Sequence, residues 1–272
     1  MTSEAPSGFD TIVGRPQYYI DFLDERMTIQ DETIVKQNII RLLDLHDGLA
    51  VIDVGSGTGA DIIEAAKLVA PTGRAVGFDL SADMIAEARV RAAESGAAVE
   101  FVEGDSQVLP FPDATFDRCR TERMLIHVAD PVAAVREMVR VTRPGGIVVA
   151  SDIDGGTMFL NSSNKSLATA LAMATTDALA DGWMGRRLQR YLFAAGLVDV
   201  RCITQVVQNS VSFMRIVFSG LLQAMIDNGE TTAGDVAQFW EELEKGEREG
   251  WLCSGVTCFT VVARKPGADQ AG

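Results

Sequence analysis

Val51-Ile-Asp-Val-Gly-Ser-Gly-Thr-Gly-Ala60 decides the fold of this chain. A short apolar run ends in an acid and three alternating glycines, and a second apolar run closes at Asp79, about 20 residues after the last glycine. This pattern holds a nucleoside cofactor at the carboxyl edge of a parallel sheet. The glycines let the backbone turn sharply and approach a ligand with no Cβ in the way. Asp79 then stands at the tip of the next strand, where a carboxylate can accept both ribose hydroxyls. Gly55, Gly57 and Ala60 also satisfy the relaxed dinucleotide pattern G-x-G-x-x-A, so the loop alone leaves the cofactor open.

The 272 residues can bury a substantial core, and 47% hydrophobic with 23% charged residues is ordinary for a globular enzyme. A formal net charge of −14 opposes a nucleic-acid or anionic membrane partner, because a phosphate-bearing surface needs basic side chains. Cys119, Cys202, Cys253 and Cys258 are scattered, form no C-x-x-C pair and lie far from His46 and His127. They read as free thiols in a reducing cytoplasm, with no metal site. No signal peptide and no membrane-spanning run is visible.

Around the loop, strands and helices alternate: strands at 49–54, 75–79, 99–103, 116–121 and 147–152, with helices at 60–69, 81–95 (Ser81 as N-cap) and 132–142. Alternation of this kind means a parallel sheet with right-handed crossovers, a doubly wound α/β fold. Pro71-Thr-Gly73 and Arg143-Pro-Gly-Gly146 read as turns that stop helices before strands. One helical lead-in occupies 16–45. Beyond Asp152, helices are expected at 166–181, 186–195, 213–227 and 232–249, with strands at 198–208 and 254–263. The expected division is a lead-in at 1–47, a cofactor-binding core at 48–152, the rest of the sheet with lid insertions at 153–265 and a tail at 266–272.

Three further blocks accompany the loop: Gly104-Asp-Ser-Gln-Val-Leu-Pro-Phe-Pro-Asp-Ala-Thr-Phe-Asp117, Leu125-Ile-His-Val-Ala-Asp-Pro131 and Val141-Thr-Arg-Pro-Gly-Gly146. With them the chain resembles the class I S-adenosylmethionine-dependent methyltransferases, of the branch that includes ubiquinone and menaquinone biosynthesis. The resemblance implies a Rossmann-like seven-stranded sheet with an antiparallel final strand and a helical lid. It implies S-adenosylmethionine as cofactor and S-adenosylhomocysteine as product. The expected cofactor-binding residues are Tyr18, Gly55, Ser56, Gly57, Asp79, Leu80, Met84, Asp105, Ser106, Arg120 and Glu122. Asp105 follows the third strand, where it can accept from the adenine amine while the Ser106 amide meets a ring nitrogen. A dinucleotide enzyme leaves Asp105 and the Leu-Pro-Phe-Pro turn idle.

The cofactor carries the activation in methyl transfer, so no universal catalytic residue is implied. His127 is the candidate acid/base group; its competing role is to cap or pack against the Asp130-Pro131 turn. Arg120, Glu122 and Arg123 either line the cofactor pocket or form an ion-pair network. Asp152 and Asp154 either meet an acceptor or serve turn chemistry, with Gly155-Gly156 offering hinge freedom. Tyr18 or Tyr19 is expected over the cofactor. About half of Met158, Phe159, Met173, Trp183, Met184, Phe213, Met214, Phe218 and Met225 are expected to line a pocket for a largely apolar acceptor, a natural-product or quinone-like molecule. Arg186 and Arg187 read as surface ion pairs or as partners of an acidic acceptor group. The alternatives are a methyltransferase fold that catalyses cyclisation, and an NAD(P)-dependent oxidoreductase. A second copy of the chain, as a homodimer, is the only macromolecular partner expected.

Overall fold

The computed structural model of the protein describes residues 16–267. Of the frayed ends expected at 1–10 and 266–272, all but Pro266 and Gly267 lie outside the described residues. Seven strands form one sheet: β1 Ala50–Val54, β2 Arg74–Asp79, β3 Glu100–Glu103, β4 Phe116–Glu122, β5 Thr142–Leu160, β6 Val198–Gln208 and β7 Ser254–Arg264. Their spatial order is β3-β2-β1-β4-β5-β7-β6. β7 runs antiparallel to both neighbours, and the other pairings are parallel.

The helices are α1 Pro16–Thr28, α2 Gln30–Leu43, α3 Ala60–Val69, α4 Ala82–Ser95, α5 Pro131–Val141, α6 Lys165–Asp177, α7 Met184–Ala194, α8 Val211–Asp227 and α9 Ala233–Glu249. Side chains alternate across a strand, and that period builds the layers. Val51 packs with α3 and α4, whereas Ile52 and Val54 pack with α5 and α7. Likewise Ile147 and Val149 meet α2, while Val148 and Ala150 face α5 and α7. The Ser81 hydroxyl accepts from the Met84 amide at 3.3 Å, the expected N-cap of α4.

Three expectations are corrected. The lead-in is two helices broken at Ile29, not one. Arg143-Pro-Gly-Gly146 does not separate helix from strand. β5 already begins at Thr142, and the turn-forming residues are absorbed as a bulge opposite β4, with Gly145 at φ +78°. Nor does β5 end at Asp152. It runs on to Leu160 beside β7, through a second irregularity after Asp154, well past the last β4 pairing at Ser151.

On that extension sits the cap of α6, α8 and α9, with a core of its own. Met214, Phe218 and Met225 pack there with Leu167, Leu171 and Phe239. Met184 lies instead in the main core and Phe213 in the layer under α2. Most of the methionine and phenylalanine set is therefore packing, while Met173 and Trp183 stand exposed.

Candidate functional site

The glycine loop leaves β1 and enters α3 through Gly55, Gly57 and Gly59, all at positive φ where a Cβ would also be crowded. Gly55 has φ +81°, and a Cβ there would lie 2.5 Å from Met124 Cγ. Gly57 has φ +53°, and its Cβ would lie 3.2 Å from Leu23 Cδ1 of α1. The Gly55 and Ser56 amides both donate to Phe78 O, at 2.7 and 3.0 Å, so the loop is sewn to the end of β2. Asp79 completes the stitch. Its Oδ2 accepts from the Gly57 amide at 2.8 Å and its Oδ1 from the Ser81 amide at 2.9 Å. Burial pushes this carboxyl above its ordinary range, against the amide hydrogen bonds.

Beside it Leu80 is exposed, whereas the Met84 side chain is buried under the first turn of α4. Asp105 is exposed just past β3, and its Oδ1 accepts from the Gln107 amide at 2.8 Å. Ser106 is half-buried next to it. Tyr18 is not in the wall of the cleft over the loop. Its hydroxyl donates to Ile216 O at 3.2 Å, tying α1 to α8. From α1 it is Leu23, Arg26 and Met27 that close over Gly55–Gly57, around a cavity of about 60 Å³.

The floor of this cleft is a network of four cations and four carboxylates. Arg120, on β4, is 1% exposed and pairs with Asp53 Oδ2 at 3.1 Å, Asp61 Oδ2 at 3.0 Å and Glu122 Oε2 at 2.8 Å. Glu122 also receives Arg26 at 2.9 Å and Lys36 at 3.1 Å. Glu32 joins Arg26 at 3.0 Å to Arg123 at 2.5 Å. Burial alone would raise the Glu122 carboxyl, but Lys36, Arg26, Arg120 and Arg123 outweigh it and hold it well below the usual carboxylate range. Asp53 is different: burial dominates its pairing with Arg120 and lifts it to about 7. Arg120 and Glu122 line the cleft and carry the ion network.

Charged positions on α1 and α2 escaped the sequence reading. The signal was present in α2, where Glu32 shares the buried stripe of Val35, Ile39 and Leu43. A carboxylate on an apolar stripe marks a buried ion pair.

At the carboxyl ends of β4 and β5 the chain forms a short 3₁₀ turn, Leu125–His127. Asp152 holds it: Oδ2 accepts the Ile126 amide and Oδ1 the Ile153 amide, each at 3.1 Å. Burial lifts this carboxyl to about 7, with Arg123 opposing. His127 is pushed down to about 4 by burial and by the cations Arg123 and Arg26, so its imidazole is neutral near pH 7. The N-cap of α5 is Asp130 and not His127; the Asp130 carboxylate accepts the Ala133 amide at 2.9 Å.

Asp154 is fully buried and pairs with Arg186, whose Nη2 lies 2.6 Å from Oδ1. The Arg186 guanidinium stacks 4.5 Å over Trp183. The expected hinge at Gly155-Gly156 is instead a packing seam. A Cβ at Gly155 would sit 2.7 Å from Thr176 Oγ1, and one at Gly182 only 2.2 Å from Thr176 O. Among the described residues no group of three or more His, Cys, Asp or Glu is placed to hold a metal ion. No described helix is long and apolar enough to cross a membrane.

A sheet of this order, a glycine loop stitched to an acid on the next strand and a lead-in closing over both define a class I methyltransferase site. A family model described as a methyltransferase domain matches residues 45–196. An uncharacterized 37.1 kDa protein of a Streptomyces fradiae transposon is 33% identical over 90% of this chain and 71% of its own length. A ubiquinone/menaquinone biosynthesis C-methyltransferase of Saccharophagus degradans is 35% identical over 46% of this chain, the match spanning 51% of that protein. The chain belongs to the class I S-adenosylmethionine-dependent methyltransferase family, and S-adenosylmethionine is its cofactor.

Solved structures agree on the fold. One from Bacillus halodurans C-125 superposes with TM-score 0.60 at 21% identity, over 85% of this chain and 98% of that one. The [4+2]-cyclase SpnF superposes with TM-score 0.57 at 21% identity, over 87% and 82%. The residues present fit a nucleoside cofactor. Asp79 offers a carboxylate beside a glycine cradle, and the buried Ser56 hydroxyl in that cradle has no hydrogen-bond partner.

Proposed function

We propose that this chain methylates a small, largely apolar organic molecule of natural-product or quinone-like chemistry. The single observation behind the reading is the Asp79–Gly57 stitch, which sets a carboxylate against the glycine cradle under a lead-in helix. In this reading Asp79 holds the ribose, Asp105 and the Ser106 amide meet adenine, and Leu80 covers its face. The Gly55–Gly57 backbone, with Arg120 and Glu122 beneath it, takes the amino-acid end. Tyr18 acts indirectly, by fixing α1 against α8. Bound S-adenosylmethionine supplies a methyl group already activated on sulfur. What remains for the chain is to align an acceptor and exclude water.

The apolar character of the acceptor is supported by Leu23 and Met27 in the cleft wall. His127 is the acid/base candidate for an acceptor that must lose a proton; it is neutral near pH 7, and its pKa of about 4 makes it a weak base there. In the division of labour we propose, 48–152 binds the cofactor, while the lead-in and the cap on 153–265 enclose the acceptor.

Isothermal titration with S-adenosylmethionine, S-adenosylhomocysteine and NAD tests the cofactor reading; binding of NAD alone overturns it. A second reading, cyclisation with retained cofactor, has support in the likeness to SpnF, a cyclase on the same fold. Mass spectrometry with methyl-labelled cofactor separates the two. Label in the product means methyl transfer, and a converted but unlabelled product means the cyclase.

A further inference from the structure

Arg123 is the first residue past β4, and its backbone is unusual. It sits at φ +54°, in the left-handed region that a side chain with a Cβ seldom occupies. Residues held in such conformations collect at ligand sites, where the surrounding structure fixes them. Here the fixing is visible. The Arg123 amide donates to Ser151 O on β5 at 2.9 Å, and Nη2 donates to Glu32 Oε1 on α2 at 2.5 Å. Its Nε, however, is buried with no acceptor. A buried guanidinium N–H without a partner is costly, and one in a native protein calls for an explanation.

Arg123 lies among carboxyl groups that are already engaged. Its field reaches His127 in the turn, Asp152 on β5, Cys258 on β7, Glu122 on β4 and Glu32 on α2. Glu32 is already shared with Arg26, and Glu122 with Arg26, Lys36 and Arg120. Asp152 spends both oxygens on the amides of Ile126 and Ile153. No carboxylate of the cluster is therefore left to serve Nε. The group lies at the carboxyl ends of β4 and β5, the edge where open α/β sheets receive their ligands.

We propose that Arg123 selects and orients the methyl acceptor by binding an anionic oxygen, a carboxylate or an ionised phenol or enol, through its free Nε–H. The proposal rests on the methyltransferase reading and adds to it the chemical class of the acceptor's polar end. The rest of the acceptor remains apolar. Guanidinium suits the role because its planar fork gives a charge-assisted hydrogen bond of fixed direction, which a lysine ammonium does not.

The test uses the whole protein saturated with S-adenosylhomocysteine and two probes, 4-nitrophenol followed by its absorbance and benzoate followed by calorimetry. Wild type is expected to bind 4-nitrophenolate at least tenfold tighter than the neutral phenol, or benzoate at least tenfold tighter than benzamide. The arm that responds tells phenolate from carboxylate. With S-adenosylhomocysteine held saturating for each variant, R123Q should lose that preference and R123K should recover only part of it. E32Q releases Nη2 and should increase the preference, a gain that a purely structural arginine would not give. Equal binding of charged and neutral probes by wild type, or binding of neither, overturns the proposal. So does an undiminished preference in R123Q. Failure to bind S-adenosylhomocysteine would instead bring down the cofactor reading beneath it.

Discussion

Replacing Glu122 by Gln removes one negative charge from the point where Arg26, Lys36 and Arg120 converge at 2.8–3.1 Å. The shape is kept, so the loss is electrostatic. Its side chain is only 4% exposed, which leaves little water to replace the missing charge. Removing one partner of a buried ion pair costs about 3–5 kcal/mol. A protein of this size shifts its Tm by about 2–4 °C per kcal/mol, so the midpoint should fall by roughly 6–20 °C at neutral pH.

The pH dependence carries a sign. The folded carboxyl is depressed below 4.5, so its contribution is fully present above that value and is lost as pH falls through the folded pKa. Wild type and E122Q should therefore converge in acid. Calorimetric melts of both proteins at neutral pH and through a descending series of acid pH values well below 4.5 measure this directly. A midpoint within 2 °C of wild type at neutral pH, or a gap that widens in acid, would refute the reasoning.

D79N should weaken S-adenosylhomocysteine at least tenfold by titration calorimetry, because an amide cannot serve the Gly57 and Ser81 N–H groups and two hydroxyls together; affinity within threefold would contradict it. For His127 the folded pKa, about 4, lies below the usual 6.5. Its stabilising contribution is complete above 6.5 and is lost as pH falls from there towards 4, and H127Q should flatten that part of a urea-denaturation profile. Asp152, lifted to about 7, acts in the opposite sense, losing its contribution as pH rises from about 3.8 to about 7. D152N should therefore remove that decline from the same profile. G182A should cost about 1–3 kcal/mol, since its Cβ would meet the Thr176 carbonyl oxygen at 2.2 Å. G220A, in α8 with open space around it, should instead stabilise by about 0.5–1 kcal/mol; equal effects in urea melts would dispose of the seam.

The core of the fold was legible because its signals are local. Val51–Ala60 and Asp79 announce a strand, a tight turn and a second strand, and Ser81 and Thr232 cap their helices with their own side chains. The extension of β5 was not legible, because Gly155-Gly156 normally ends a strand and only the pairing with β7 carries the chain onward. The site divides in the same way. Asp79 could be placed by its distance from the glycines, and it does meet the loop. Arg26 and Lys36 could not, since their partner Glu122 is 96 and 86 residues away in the chain. Tyr18 was expected at the cofactor on likeness alone, and its hydroxyl reaches α8 instead.

The run of β5 and β7 past the carboxyl edge makes the cap a cantilever rather than a hinged door. α6, α8 and α9 rest on strands continuous with the central sheet, so bending the cap away would break sheet pairing. The lead-in has no such anchorage. Pro16–Leu43 contributes no strand; α2 packs Val35, Ile39 and Leu43 onto β5 and β7, whereas α1 buries Arg26 against Glu122 and is fastened at its exposed side by Asp24 to Arg91. Compliance is thus concentrated in α1, and its exposed fastening, Asp24 to Arg91, answers to ionic strength. Raising the salt should speed ligand entry and exit at the lead-in while leaving the cap's amide-exchange protection unchanged.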